Sequence, residues 1–232
     1  MLEAAWLFLF LILFAFIYST YNSILKKKGS DKTARIKKLV SFTTVSLLWF
    51  IYVYLISQSD ILLDRSFPPR FPILLIMPLF LFTGIFLYKK RNSHTLHAIP
   101  RHLPIAFQSF RAVIEVLFYF TFLRGLFPEV ATFAGYNFDF IIGLSAPVVA
   151  YIASKITDPT KLLVAWNIVG LAFLANAVFI VFTSFYFPEV WGSSEPLLPF
   201  EFLKYPFVLL PAFFMPSAVF MHVLSLVQLR KN

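Results

Sequence analysis

Two oppositely charged residues, Arg111 and Glu115, lie near the middle of an otherwise apolar segment over residues 103–123. A charged side chain at the centre of a bilayer costs about 2.5–3.5 kcal/mol on insertion scales, so such residues are rare there and usually functional. Residues four apart share one face of a helix and can form an ion pair. Gln108 and Tyr119 fall on the same face, so we predict a polar stripe that faces the interior of a helical bundle.

Two interpretations of this stripe remain open. In the first, Arg111 and Glu115 neutralise each other and hydrogen-bond to neighbours such as Asn167 or Asn176, which fixes helix packing. In the second, the stripe lines a polar cavity that binds an ion, a proton or a polar head group. Arg111 would attract an anion there, and Glu115 would be its counter-charge or a proton carrier. Buried ion pairs are poor stabilisers because desolvation offsets their attraction, which favours the second interpretation.

A second group of candidate residues precedes the apolar segment at 139–155. Asn137 and Asp139 fit a helix N-cap and a first-turn carboxylate that the helix dipole favours. In the alternative, Asp139 joins other loop acids in an outer mouth that gathers cations: Glu129, Glu189, Glu201. Neither spacing nor residue type specifies a metal site, so we predict none. The candidate binding residues are therefore Arg111, Glu115, Gln108, Tyr119, Asn167 and Asp139.

The remaining polar residues of the apolar segments fit contacts between helices. Asn167 and Asn176 are nine apart and point to nearly opposite sides of one helix, so at least one should bond to a neighbouring helix. His222 is the only histidine well inside an apolar segment, and the same role is expected for it. Haem held between helices usually needs two axial ligands, so we predict no cofactor.

Composition explains why these polar residues stand out. The chain has 232 residues, of which 59% are hydrophobic and 13% charged, whereas soluble domains carry about 25% charged residues. Crossing about 30 Å of hydrocarbon takes about 20 helical residues. We predict an all-α, single-domain bundle of seven transmembrane helices near 3–25, 39–57, 71–88, 103–123, 139–155, 159–187 and 205–229. Asp158 and Pro159 predict the start of the sixth, and Pro211 and Pro216 predict a bend in the seventh.

The basic residues predict the orientation of this bundle. With seven spans, loops on one side hold 15 of the 20 lysines and arginines, whereas those on the other hold four. Because cytoplasmic loops are enriched in Lys and Arg, we predict an outside N-terminus and a cytoplasmic C-terminus. The formal net charge of +9 therefore indicates contact with anionic membrane lipids rather than with nucleic acid.

The sequence lacks the residues that several classes of membrane and soluble protein need for their chemistry. There is no cysteine for a thiolate metal site or a thiol nucleophile. The seventh segment has no lysine for a retinal Schiff base, and no phosphate-cradling glycine loop is present. The leading hypothesis is a small permease-like protein that binds a polar solute or an ion through Arg111 and Glu115. The alternatives are a structural or assembly factor whose polar stripe packs against a helix of a partner membrane protein, and an intramembrane enzyme that acts on lipid.

From about Leu103 onward the chain resembles an uncharacterised family of bacterial multi-spanning membrane proteins. The resemblance rests on four stretches: 107–115, 137–139, 143–147 and 166–171. It implies a location in the bacterial inner membrane and transfers no activity. A faint internal echo, Phe-Pro-Glu-Val at 127–130 and again at 187–190, would fit duplication of spans 4–5 as 6–7. Coincidence in a phenylalanine-rich chain is the simpler explanation.

Overall fold

The computed structural model describes residues 1–29 and 31–230, and all side chains in these ranges except those at 94 and 95. Lys231, part of the predicted basic C-terminal tail, lies outside the described residues. Within these ranges the chain is all-α, with seven principal helices: α1 (Leu2–Lys27), α2 (Lys32–Gln58), α3 (Pro72–Lys90), α4 (His102–Phe122), α5 (Phe140–Lys155), α6 (Thr160–Tyr186) and α7 (Leu210–Leu229).

Six of the seven helices are long and apolar enough to cross a membrane, and α5 is an apolar helix of 16 residues. Each predicted segment overlaps one of the seven helices, so the chain is a multi-pass membrane protein. Two boundaries differ from the prediction. α2 begins at Lys32 rather than near residue 39, because the Asp31 carboxylate accepts a hydrogen bond from the Thr33 backbone N–H at 3.0 Å and caps the helix. α7 begins at Leu210 rather than near 205, which places Pro211 in its first turn.

α4 and α7 form the centre of the bundle. α4 packs against α1, α5 and α7, and α7 packs against α3, α4 and α6. A Cβ atom at Gly143 of α5 would overlap the backbone of Ala112 in α4, so the small residue permits this close approach. α2 is the least buried of the long helices, with only Val53 and Ser57 buried among its residues.

Both α3 and α7 begin with a π-helical turn, at Pro72–Ile76 and Leu210–Phe214, and become α-helical at a Met-Pro pair. A proline ring displaces the carbonyl four residues earlier and offers it no N–H, so the backbone widens locally. The irregularity that the sequence predicts at Pro211 and Pro216 therefore takes the form of a π-helical turn.

Two side chains of α2 bond to the carbonyls that these prolines leave without an α-helical partner. The Trp49 Nε1–H donates to the Ala212 carbonyl at 3.0 Å, four residues before Pro216. The Tyr52 hydroxyl donates to the Leu74 carbonyl at 3.2 Å, four residues before Pro78 of α3. These bonds fasten α2 to α3 and α7 across an otherwise sparse interface.

The chain contains two similar three-helix units, α1–α3 and α5–α7, with α4 between them. α2 and α6 each have 27 residues, and each starts at an Asp-x-Thr sequence whose carboxylate accepts from the threonine N–H. Each is followed at once by a 3₁₀ helix. Residues 67–78 and 205–216 both open with an aromatic-Pro pair and close with Met-Pro. This correspondence differs from the pairing of spans 4–5 with 6–7 that the Phe-Pro-Glu-Val echo would imply.

Candidate functional site

The buried charge of Arg111 is paired with Asp139, which lies just before α5. The Arg111 Nε donates to Asp139 Oδ2 at 2.7 Å, and its Nη2 donates to Oδ1. Both residues are at most 5% exposed. The expected pairing of Arg111 with Glu115 is wrong, because among the described residues no ion pair involves Glu115. A bidentate contact uses two guanidinium nitrogens at once and has better geometry than a single contact along one helix face.

The other donors of the guanidinium reach α6 and α7. Nη1 lies 2.9 Å from His222 Nε2, and Nη2 donates to the Gly170 carbonyl at 3.2 Å. Because a guanidinium only donates, His222 Nε2 must accept, which places the ring proton on Nδ1. Nδ1–H then donates to Asn167 Oδ1 at 2.8 Å. The prediction that His222 bonds between helices is confirmed, and both of its ring nitrogens are occupied.

Asn167 closes the network on the α6 side. Its Nδ2 donates to the Leu163 carbonyl at 2.7 Å and to Ser225 Oγ of α7 at 2.9 Å. The expectation that at least one asparagine of this helix bonds to another helix is thereby confirmed. The other, Asn176, donates to the Tyr136 carbonyl at 2.9 Å, outside the Arg111 network.

Gly170 determines how closely α7 approaches α6. A Cβ at this position would overlap the ring of His222, so any other residue would push the imidazole away from Arg111. The bare backbone also leaves the Gly170 carbonyl open to the guanidinium. One glycine therefore supplies both the space for His222 and an acceptor for Arg111.

Glu115 joins the site through an asparagine. Its Oε1 accepts from Asn137 Nδ2 at 2.6 Å, and Asn137 Oδ1 accepts from the Asp139 backbone N–H at 3.2 Å. Glu115 is 1% exposed, and its second oxygen, Oε2, is buried without a hydrogen-bond partner. Asp139 occupies the N-cap position of α5, but its carboxylate makes no capping bond there. Both readings of Asp139, as a first-turn carboxylate and as part of an outer acidic mouth, give way to its contact with Arg111.

Gln108 lies at a break in α4 between two helical pieces, His102–Phe107 and Phe110–Phe122. The backbone N–H groups of Gln108 and Arg111 bond to carbonyls three residues back, which tightens the helix here. The Gln108 Nε2 donates to the Ala218 carbonyl of α7 at 2.9 Å, whereas its Oε1 is buried without a partner.

Tyr119, the last member of the predicted stripe, lies apart from this network. Its ring stacks on Phe133 with centroids 5.0 Å apart, and it is only half-buried. The stripe therefore does not continue to the end of α4 as a polar surface.

A cavity of about 70 Å³ reaches Arg111 and Asp139 from the side of α3 and the loop before α7. Its walls are otherwise largely apolar and include Phe202 and Leu203 of that loop. This volume holds a few water molecules, whereas pockets for organic ligands usually measure about 300–1,000 Å³. Among the side chains that the structure describes, no three His, Cys, Asp or Glu residues cluster as a metal site would require.

Of the six predicted binding residues, Arg111 and Asp139 are in direct contact, and Asn167 and Glu115 join them through one intermediate each. The sequence reading missed the connecting roles of Asn137, Gly170 and Ser225. One available signal was the order Asn137-x-Asp139, which places an amide beside the buried carboxylate. The position of Gly170 three residues after Asn167, on nearly the same helix face, was another.

The sequence comparisons agree with a membrane protein that carries no assigned activity. No curated protein and no solved structure matches the chain. Residues 68–230 match a family described as a domain of unknown function, DUF8737. This range begins before the resemblance noted from Leu103 and contains α3–α7 with every residue of the Arg111 network. Because the match covers well over half of the sequence, the chain belongs to the DUF8737 family.

Proposed function

We propose that this protein is a small permease-like membrane protein that binds a small cation, with the proton as the simplest case, at the carboxylates opposite Arg111. The observation that carries the proposal is the Glu115 Oε2 atom, which is buried without a hydrogen bond beside an Arg111–Asp139 pair that is already neutral. With neutral His222, the described cluster holds one cation and two carboxyl groups. A bound cation would complete its charge balance.

The free-energy cost of burying the Glu115 carboxylate supports a functional role for it. A buried carboxylate oxygen without a hydrogen-bond partner, such as Glu115 Oε2, loses its hydration and gains no compensating contact. A proton or small cation at Glu115 would offset that cost, and the small cavity beside Arg111 and Asp139 suits water or a simple ion better than an organic solute. The sequence hypothesis of an Arg111–Glu115 pair is thus revised to an Arg111–Asp139 pair with Glu115 as the cation-binding group.

The proposed setting is the bacterial inner membrane, with the N-terminus outside and the C-terminus in the cytoplasm. The distribution of lysines and arginines over alternate loops supports this orientation. On that basis the cavity beside Arg111 opens toward the outer side, because the loop residues that line it precede α7.

A structural or assembly role is the second candidate function, and one observation favours it. Every nitrogen of the Arg111 guanidinium has a partner within the protein, on the loop before α5, on α6 or on α7. Such a network also fixes the packing of these helices without any ligand. The two functions differ in what Glu115 does, because only cation binding needs its second oxygen.

Glu115→Gln separates the two functions because it keeps the acceptor for Asn137 and removes the charge. The full-length protein is reconstituted in liposomes, and an imposed pH, Na⁺ or K⁺ gradient is followed with ion-sensitive dyes. We expect wild-type protein to dissipate one of these gradients and Glu115→Gln to match protein-free liposomes while remaining folded. Glu129→Gln, a loop carboxylate, is the matched control and should behave as wild type. Equal flux through both variants, or none in wild type, would refute the proposal.

A further inference from the structure

A second, larger cavity lies in the first three-helix unit, away from the Arg111 network. It is a groove of about 640 Å³ between α1, α2, α3 and α7. The groove exists because α2 stands away from α3, although the Tyr52 hydroxyl bonds to α3, the Trp49 indole bonds to α7, and aromatic contacts join α2 to α1. Such a space beside a sparsely packed helix is filled by lipid, by another protein or by a ligand, and its lining distinguishes these occupants.

The groove is apolar at depth and cationic at its mouth. Trp49 and Phe50 line the deep end, and Lys38 and Tyr21 line the other. The twelve helical steps of α2 from Lys38 to Phe50 rise about 18 Å, a little over half of the roughly 30 Å hydrocarbon core. The groove therefore has the length of an acyl chain in a single leaflet.

The corresponding space in the second unit is closed. α2 and α6 have the same length of 27 residues. Ser46, Trp49 and Phe50 of α2 line the open groove, whereas α6 lines the small cavity of the Arg111 site with three smaller or aliphatic residues: Leu174, Ala177, Val178. Side chains of α4 occupy that side of the second unit: Phe110, Ile114, Phe118. The space beside α6 is thus largely filled by protein, whereas the space beside α2 is open.

The charge at the mouth selects an anion. Residues 26–38 contain seven lysines and arginines and a single acid, Asp31, which caps α2. Among the described residues, no ion pair involves Lys38. A cluster of four to eight basic residues beside a transmembrane helix is typical of binding sites for anionic lipid head groups.

We infer that this groove is a specific site for one anionic phospholipid, whose phosphate contacts Lys38 and whose acyl chain lies against Ser46, Trp49 and Phe50. The apolar depth excludes a free phosphate as the principal ligand. The cationic mouth distinguishes anionic from zwitterionic lipids of the same chain length.

Native mass spectrometry of the full-length protein in mild detergent tests this inference. Phosphatidylglycerol and phosphatidylcholine with identical acyl chains are added, and the number of retained lipids per chain is counted. We expect one phosphatidylglycerol to be retained at concentrations at which phosphatidylcholine is not. Equal retention of the two lipids would overturn the inference, and so would comparable binding of glycerol 3-phosphate, which has no acyl chain.

Two pairs of adjacent substitutions locate the lipid. Lys38→Gln should remove the preference for phosphatidylglycerol, whereas Lys37→Gln, at a residue outside the groove lining, should retain it. Ser46→Phe should fill the groove and abolish retention, whereas Leu47→Phe, on the exposed side of α2, should not. Identical behaviour within either pair would refute the site. A dimer whose formation Ser46→Phe blocks would instead assign the groove to a second copy of the chain and overturn the lipid assignment.

Discussion

The guanidinium of Arg111 contacts a carboxylate, an imidazole and a backbone carbonyl, and these partners differ in what they contribute. Asp139 supplies the opposite charge, whereas His222 and Gly170 supply neutral acceptors. Removing one member of a buried ion pair leaves the other charge uncompensated, which costs more than the intact pair contributes. Removing one charge of this pair should therefore lower the free energy of unfolding more than removing both charges together.

Asp139→Asn is the sharpest residue-scale test of this pairing. We expect it to lower the free energy of unfolding by about 3–5 kcal/mol, because Arg111 keeps its charge and loses its counter-ion. The measurement is SDS-induced unfolding of the purified protein in mixed micelles, followed by circular dichroism. Adding Arg111→Met to Asp139→Asn should cost less than the sum of the single changes.

Asp64→Asn provides the matched control for that experiment. Asp64 pairs with Arg70 at 3.2 Å, but both side chains are 40% or more exposed, so water screens their attraction. Its unfolding curve should overlay that of wild type. An Asp139→Asn curve that overlaid it as well would contradict a buried ion pair at Arg111.

At the scale of helices, prolines and hydrogen-bond donors are matched across the bundle. Met-Pro pairs interrupt the backbone bonding of α3 and α7, and two aromatic donors of α2 bond to the carbonyls that lack an α-helical partner. The carbonyl of Ala212 lies in a residue with no solvent exposure, so no water replaces the missing N–H. α2 is thus held by polar contacts although few of its side chains are buried.

A double-mutant cycle measures this helix-scale coupling. Trp49→Phe keeps an aromatic ring and removes the donor, so we expect a loss of about 1–3 kcal/mol in unfolding free energy, typical for a buried acceptor left without a partner. Pro216→Ala restores an N–H four residues after Ala212. In that background Trp49→Phe should cost clearly less, as judged by the same SDS unfolding assay. Equal costs in both backgrounds would show that Trp49 acts through packing alone.

At the scale of the whole molecule, the 27-residue helix of each three-helix unit borders a cavity. In the second unit that cavity is small and reaches the charged pair, whereas in the first it is large, apolar and open at a basic end. The proposed cation site on α4 and the proposed lipid site beside α2 are therefore separate sites with different chemical surroundings.

The proposed orientation predicts which loops are accessible from outside the cell. The sequence has no cysteine, so a thiol reagent can label only a cysteine that is introduced by mutation. In intact bacteria, an impermeant maleimide should label Ser194→Cys in the loop before α7 and should label Asn92→Cys only after permeabilisation. The reverse pattern would place the N-terminus in the cytoplasm. Labelling of both sites in intact cells would contradict the predicted number of membrane crossings.

The approximate positions of the helices followed from the sequence because burial in hydrocarbon requires long uncharged segments, and each of the seven predicted segments overlaps one helix. The start of α6 close after Asp158 was also predictable, since its carboxylate accepts from the Thr160 N–H two residues away, although Pro159 rather than Asp158 occupies the N-cap position. That charged side chains lie within a predicted membrane-spanning segment was also evident from Arg111 and Glu115. All of these features depend on residues close to one another in the chain.

The partner of Arg111 could not be deduced in this way. Helical spacing brings Glu115 near it, but Asp139 is 28 residues away and approaches only because Gly143 lets α5 pack tightly against α4. Likewise His222 reaches Arg111, 111 residues away, only because Gly170 leaves room for its ring. The sequence by itself determined which residues enter the membrane and that charges lie among them. The tertiary structure alone decided which charges meet, because ion pairing depends on distances between helices, and the packing of small residues at their contacts sets those distances.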